Sequence, residues 1–170
     1  MNPKIIILVV AIAVIAVVSG AYLVLANAQP QVVVSGDNVS VYYTGSFTNG
    51  TVFDSNAGKV PLNFTVGSGM VIQGFDHAVI GMGLDQNKTV TVPVNEAYGP
   101  VNPALIVSVP ANAFGNQTIK VGTMVRETAN GHLVEGVVTM VNSTNVTIDF
   151  NPPLAGQTLI FTIRVVGIKK

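Results

Sequence analysis

The chain has no cysteine. That excludes disulfide staples, thiol nucleophiles and cysteine-built zinc or iron–sulfur sites. Charge is scarce too. Lys and Arg number 8, Asp and Glu number 8, and charged residues make up only 9%. No basic stripe is available to hold a phosphate backbone, so nucleic acid is not an expected partner. Histidine occurs twice, at His77 and His132, without ligand-like spacing, and no metal site is expected. There is no Gly-Lys-Ser/Thr phosphate loop, no internal repeat and no low-complexity tract. At 170 residues the chain can still bury a substantial core in one or two domains.

What is present begins with an apolar run. Ile5 to Ala26 carries no charge and is interrupted only by Ser19, Gly20 and Tyr22. As a helix it would span roughly 33 Å, about the thickness of a bilayer's hydrocarbon core. Lys4 precedes it and the next basic residue is Lys59, which keeps the N-terminus in the cytoplasm and puts the rest outside. Residues 1–28 therefore read as a single-pass anchor. The alternative is a signal peptide cleaved after Ala26-Asn27-Ala28, releasing a secreted chain, but the run is longer than a usual signal core. Residues 29–36 read as a linker and first strand. Seven Asn-x-Ser/Thr triplets follow, at Asn38, Asn49, Asn63, Asn87, Asn116, Asn142 and Asn145.

The remainder is mostly β. Val32–Val34, Val39–Phe47, Thr51–Asp54, Val60–Val66 and Lys88–Val94 read as strands, rich in Val, Tyr and Thr. The strands on either side of Thr48-Asn49-Gly50 read as a tight hairpin, since Asn49 and Gly50 both tolerate positive φ. Phe75, Ala78, Val79 and Met82 recur at helical spacing, giving one short helix whose apolar face lies on a sheet. From Tyr98-Gly99-Pro100 to about Phe150 the pattern breaks into a separate small β unit with a loose start and a second hairpin at Asn130-Gly131. A last strand, Thr158–Ile168, must return to the first unit. The expected fold is mainly β (α+β): a domain of residues 37–99 plus 151–170, with residues 100–150 inserted.

Four stretches occur in order: VYYTGSFTNGTVFDSN, PLNFTVGSGMVIQGF, NEAYGP and LAGQTLIFTIRVVGI. In sequence and spacing they resemble the FKBP family of peptidyl-prolyl cis-trans isomerases. The piece between Tyr98-Gly99 and the last strand looks like the insert-in-flap domain of the SlyD-like branch. The resemblance covers residues 37–170. It implies a curved antiparallel sheet wrapped over one short helix, an X–Pro isomerase pocket, and an insert that catches unfolded chains.

Carried over residue by residue, the resemblance makes Tyr43, Phe53, Asp54, Tyr98 and Phe161 catalytic. Leu62, Val71, Ile72 and Phe75 become substrate-binding. Phe75, Phe161, Val71 and Ile72 would hold the prolyl ring, while Tyr43 and Phe53 exclude water. Tyr98 would donate to a substrate carbonyl, and Asp54 would orient Tyr43 or the substrate. Phe64 reads as core. The implied partners are unfolded or proline-containing polypeptides, the membrane through the N-terminal helix, and FK506-type macrolides. No cofactor is implied. Met70 departs from the glutamate common before the Val-Ile pair, and Pro152 from the histidine usual before Pro-Leu-Ala-Gly. No histidine-rich tail occurs in these 170 residues, so no nickel-handling role is inherited. A non-catalytic holdase or envelope binding module on the same fold is the competing reading.

Overall fold

The computed structural model describes residues 31–115, 117–129 and 131–170. The apolar run Ile5–Ala26 lies outside the described residues. Among the described residues, no helix is long and apolar enough to cross a membrane.

Two antiparallel sheets form. The first contains β1 (Asn38–Phe47), β2 (Val52–Ser55), β3 (Leu62–Thr65), β4 (Asn87–Val92) and β9 (Leu159–Lys169). Its order is β2-β1-β9-β4, and β3 also pairs with β1. β2 takes the Thr44–Ser46 end of one β1 edge and β3 the Asn38–Val41 end. β9 fills the centre, pairing with β1 over its length and with β4 on its other side. In β9, Leu159, Phe161, Ile163 and Val165 are buried while Thr162 and Arg164 face out. That period of two is what a half-buried strand requires.

The one α-helix among the described residues, α1 (Gln73–Val79), covers the buried face of this sheet. Seven residues cannot hold a helix alone, so packing supplies the stability. Phe75, Ala78, Val79 and Met82 are all buried, as their spacing predicts. Gly74 permits the close approach: a Cβ there would lie 2.4 Å from Val92 Cγ1. Gly81, with φ of 79°, ends the turn.

The second sheet has the order β5-β8-β7-β6, built from β5 (Ile106–Pro110), β6 (Met124–Ala129), β7 (His132–Val141) and β8 (Asn145–Asp149). It has its own core of Val138, Val146 and Ile148, against which Val109, Phe114 and Phe150 pack. The segments entering and leaving it are tied together. Asn102 N–H donates to Asn151 Oδ1 at 2.8 Å, and Gly156 N–H donates to Gly99 O at 2.8 Å.

Three sequence expectations need correction. Val32–Val34 is not a strand. It makes a single bridge, Val32 to Gly83, because its partner is the loop after α1 and not a strand edge. The hairpin does join at Thr48-Asn49-Gly50, but Asn49 and Gly50 do not both take positive φ. Only Gly50 is left-handed (φ 85°). Its N–H donates to Phe47 O, Phe47 N–H donates to Thr51 O, and Thr51 N–H donates to Asn49 Oδ1. This is a three-residue loop, a turn followed by a glycine bulge. Finally, β5 stands where a loose start was expected. Pro103 and Pro110 look like breakers, but Pro110 ends an edge strand, where a missing N–H costs little.

Candidate active site

Six segments converge beside α1. β1 brings Tyr43, β2 brings Phe53 and Asp54, and β3 brings Leu62. The loop after β3 brings Gly69, Met70, Val71 and Ile72, and α1 brings Phe75. A short 3-10 turn after β4, Val94–Glu96, leads to Tyr98, and β9 supplies Phe161. Together these eleven residues line a cavity of about 460 Å³. All nine residues singled out in the sequence are among them.

The floor is a set of edge-to-face rings. Phe75 and Phe161 meet at 5.2 Å and 89°, Tyr43 and Phe75 at 5.6 Å and 85°, and Phe53 and Phe161 at 5.8 Å and 87°. Edge-to-face contact sets the positive rim of one ring against the negative face of another, adding about 0.5–1.5 kcal/mol per pair beyond area burial. Phe75 and Phe161 are buried, while Tyr98 is 45% exposed at the mouth. Phe64 lies behind Phe75 in the core at 5.9 Å and does not line the cavity.

Polar groups are few and tightly held. Tyr43 Oη donates to Asp54 Oδ2 at 2.5 Å. Burial pushes the Tyr43 phenol up to about 12, and the hydrogen bond to the Asp54 carboxylate and its negative charge add to this. The phenol is therefore neutral and keeps its proton to donate. Tyr43 N–H donates to Asn56 Oδ1 at 2.7 Å, and Asn56 Nδ2 donates to Val41 O at 3.1 Å. Outside the cavity lining, Asp76 Oδ2 accepts from Gly67 N–H at 2.8 Å, pinning the start of the loop that carries Gly69–Ile72.

Sequence reasoning missed four residues here. Gly69 and Met70 form wall, and Met70 was read only as a departure. Asn56 fixes Tyr43 through the backbone, and no pattern marks such an asparagine. Gly45 lies inside the Tyr-Thr-Gly stretch, and nothing in that stretch marks its role. A Cβ on it would lie 2.6 Å from Phe53 Cζ and 2.9 Å from Phe161 Cε1, so only glycine lets those two rings meet.

A family model described as FKBP-type peptidyl-prolyl cis-trans isomerase matches residues 29–166. The chain belongs to the FKBP-type isomerases. A probable FKBP-type 16 kDa peptidyl-prolyl cis-trans isomerase of Pseudomonas fluorescens is 34% identical over 133 residues, covering 77% of this chain and 88% of that protein. A short-type peptidyl-prolyl cis-trans isomerase of Methanocaldococcus jannaschii is 38% identical over 105 residues, 62% of this chain and 66% of the relative. The FKBP-type isomerase SlyD of Helicobacter pylori is 30% identical over 120 residues, 70% of this chain and 65% of the relative. The FKBP-type chain thus spans about two thirds of the length of the second and third relatives, and SlyD proteins are among its kin.

As an FKBP-type enzyme the chain is a rotamase. An X–Pro bond turns slowly because resonance stiffens C–N, with a barrier near 20 kcal/mol. The twisted amide has lost that resonance and carries less charge on its carbonyl. A cavity walled by Phe53, Leu62, Val71, Ile72, Phe75 and Phe161 offers little water to the planar, more polar form. A preference of about 4 kcal/mol for the twisted form gives a thousandfold rate.

Proposed function

We propose that the chain isomerises X–Pro bonds in polypeptides folding outside the cytoplasm, held to the membrane through Ile5–Ala26 with its N-terminus inside. A prolyl ring sits on Phe75 and Phe161, flanked by Val71, Ile72 and Leu62. Tyr43 and Phe53 close the sides. Tyr98 donates to a substrate carbonyl at the rim, and Asp54 fixes the phenol of Tyr43. The observation that carries this reading is the gathering of all nine residues around one mainly apolar cavity.

We further propose that residues 100–150 work as a chaperone-like insert that binds unfolded chains before they reach the cavity. Leu105, Ile106 and Val107 support this, at 38%, 41% and 42% exposed, as do exposed Met124, Leu133 and Met140 on the same sheet. Val109 and Phe114 fill the small core instead. The same cavity, by the relatives' FK506-binding names, is proposed to accept FK506-type macrolides; one such relative is FK506-binding protein 1A of Neurospora crassa, 43% identical over 79 residues.

A protease-free prolyl-peptide assay on the full chain tests the site. Phe161→Ala should cut kcat/KM strongly while leaving capture of an unfolded protein nearly intact. Phe161 is also core, so Phe161→Leu serves as the variant that keeps volume. Equal losses of isomerisation and capture in both variants would overturn the division of labour.

A further inference from the structure

Ser and Thr make up 22 of the 170 residues, so chance placement would give the 15 asparagines about 2 Asn-x-Ser/Thr triplets; the chain has 7. Asn116 lies outside the described residues. Of the other six, Asn38, Asn49, Asn63, Asn87 and Asn142 are exposed, and Asn145 is half-buried.

The geometry at these asparagines is more telling than their number. Asn38 and Asn63 sit on the paired strands β1 and β3. Ser40 Oγ donates to Asn63 Oδ1 at 2.5 Å, and Thr65 Oγ1 donates to Asn38 Oδ1 at 2.8 Å. The hydroxyl of each triplet holds the carboxamide oxygen of the other. At the β1–β2 loop, Asn49 Oδ1 accepts from Thr51 N–H at 2.9 Å. At the β7–β8 turn, Asn142 Oδ1 accepts from Thr144 N–H, Thr144 Oγ1 and Asn145 N–H at 2.9, 3.0 and 2.7 Å. In each case the fold uses the oxygen, and the amide nitrogen has no partner among the described residues.

Of the asparagines outside the triplets, Asn102 likewise uses only its oxygen, accepting from Ala104 N–H at 3.0 Å, whereas Asn56 and Asn151 spend their nitrogen. Asn56 Nδ2 donates to Val41 O and Val60 O, and Asn151 Nδ2 donates to Asn102 O and Asp149 Oδ1. Asn145 also spends its nitrogen, on Thr144 Oγ1 at 3.4 Å.

We propose that Asn38, Asn49, Asn63, Asn87 and Asn142 are acceptors for N-linked glycans, and that Asn145 is not. In the transfer, Nδ2 attacks C1 of a sugar carried on a polyisoprenoid phosphate or diphosphate. The N–C1 bond forms, the C1–O bond breaks, the phosphorylated lipid leaves with the electron pair, and a base of the transferase takes one Nδ2 proton. Oδ1 is untouched, so the hydrogen bonds above survive and the folded domain accommodates the modification. None of the five lines the isomerase cavity. The glycans supply the hydrated surface that a chain with 9% charged residues otherwise lacks.

The proposal rests on the placement of the domain outside the cytoplasm, so the test reads the two separately. Full-length chain is examined in sealed membranes of the cells that make it. Cleavage by added protease reports the side, and peptide mass mapping reports occupancy. Expected are an accessible domain and glycan-sized mass additions on peptides carrying the five asparagines. Thr51→Val should remove the addition at Asn49 and leave the rotamase rate unchanged. An accessible but bare domain overturns this proposal and leaves the placement standing. A protected, bare domain overturns the placement and the glycans with it. A glycan on Asn145 with Asn142 bare overturns the selection by free amide nitrogen.

Discussion

Asp54 stands opposite Gly45 in the β1–β2 register and reaches diagonally to accept the phenol proton of Tyr43, two residues back along β1. The pair links the rim of the cavity to the hairpin that builds it. The Tyr43 phenol is pushed up to about 12 from an ordinary value of 10.0, with burial the larger cause and Asp54 the second. Asp54→Asn should therefore bring the phenol down, yet leave it above an exposed tyrosine, as read by tyrosinate absorbance. The sign for stability follows. An unfolded chain loses this proton near 10 and the folded chain near 12, so the contribution is full below pH 10 and fades as pH rises to 12. Tyr43→Phe should flatten that part of the alkaline unfolding profile.

Gly45→Ala puts a methyl group 2.6 Å from Phe53 Cζ. Overpacking of this kind costs about 1–3 kcal/mol. The rings of Phe53 and Phe161 must part, so kcat/KM for a prolyl peptide should fall further than thermal stability alone explains. Activity compared at temperatures equally far below each variant's Tm checks this. Unchanged specific activity there would remove Gly45 from the account of the site.

Tyr98 is 45% exposed, and its hydroxyl has no hydrogen-bond partner among the described residues. Tyr98→Phe should leave stability within about 0.5 kcal/mol. If the hydroxyl serves a substrate carbonyl, kcat/KM should drop about tenfold, a loss near 1.4 kcal/mol. A peptide assay beside a denaturant melt separates the two effects.

Asn56→Ala removes the acceptor of Tyr43 N–H and the donor to Val41 O. Leaving such groups unpaired costs about 1–3 kcal/mol each. The predicted result is a lower urea midpoint together with faster amide exchange at Tyr43. Exchange at Tyr43 no faster than in the parent chain would show that another partner takes over.

Much of this is legible in the amino-acid sequence. Helical spacing from Phe75 to Met82 located α1, because burial on one face leaves a periodic imprint, and the last strand was expected to return to the first unit, as β9 does. The ring-bearing motifs located the cavity wall. What stayed hidden depends on pairing at a distance. Nothing in the sequence around Gly45 says that two rings close over it, and nothing around Asn56 says that it holds Tyr43. The Asn49-Gly50 loop shows the limit of turn chemistry. Its residues announced a hairpin over Thr48-Asn49-Gly50, but the bulge between Gly45 and Ser46 is set by the register against β2. β5 was masked because two prolines bound a segment that works only as a sheet edge.

The position of β9 in the sheet carries a consequence for biogenesis. Asn38 pairs with Lys169, so the middle of the first sheet is filled by a strand synthesised long after β1. While it is absent, β1 and β4 have no common neighbour, and the valines of β1 have little to bury against. The sheet is thus obliged to wait, unclosed, for β9. Contacts this remote in sequence make for slow closure. A nascent chain halted before residue 159 should be digested readily by added protease, and one in which β9 has emerged should resist.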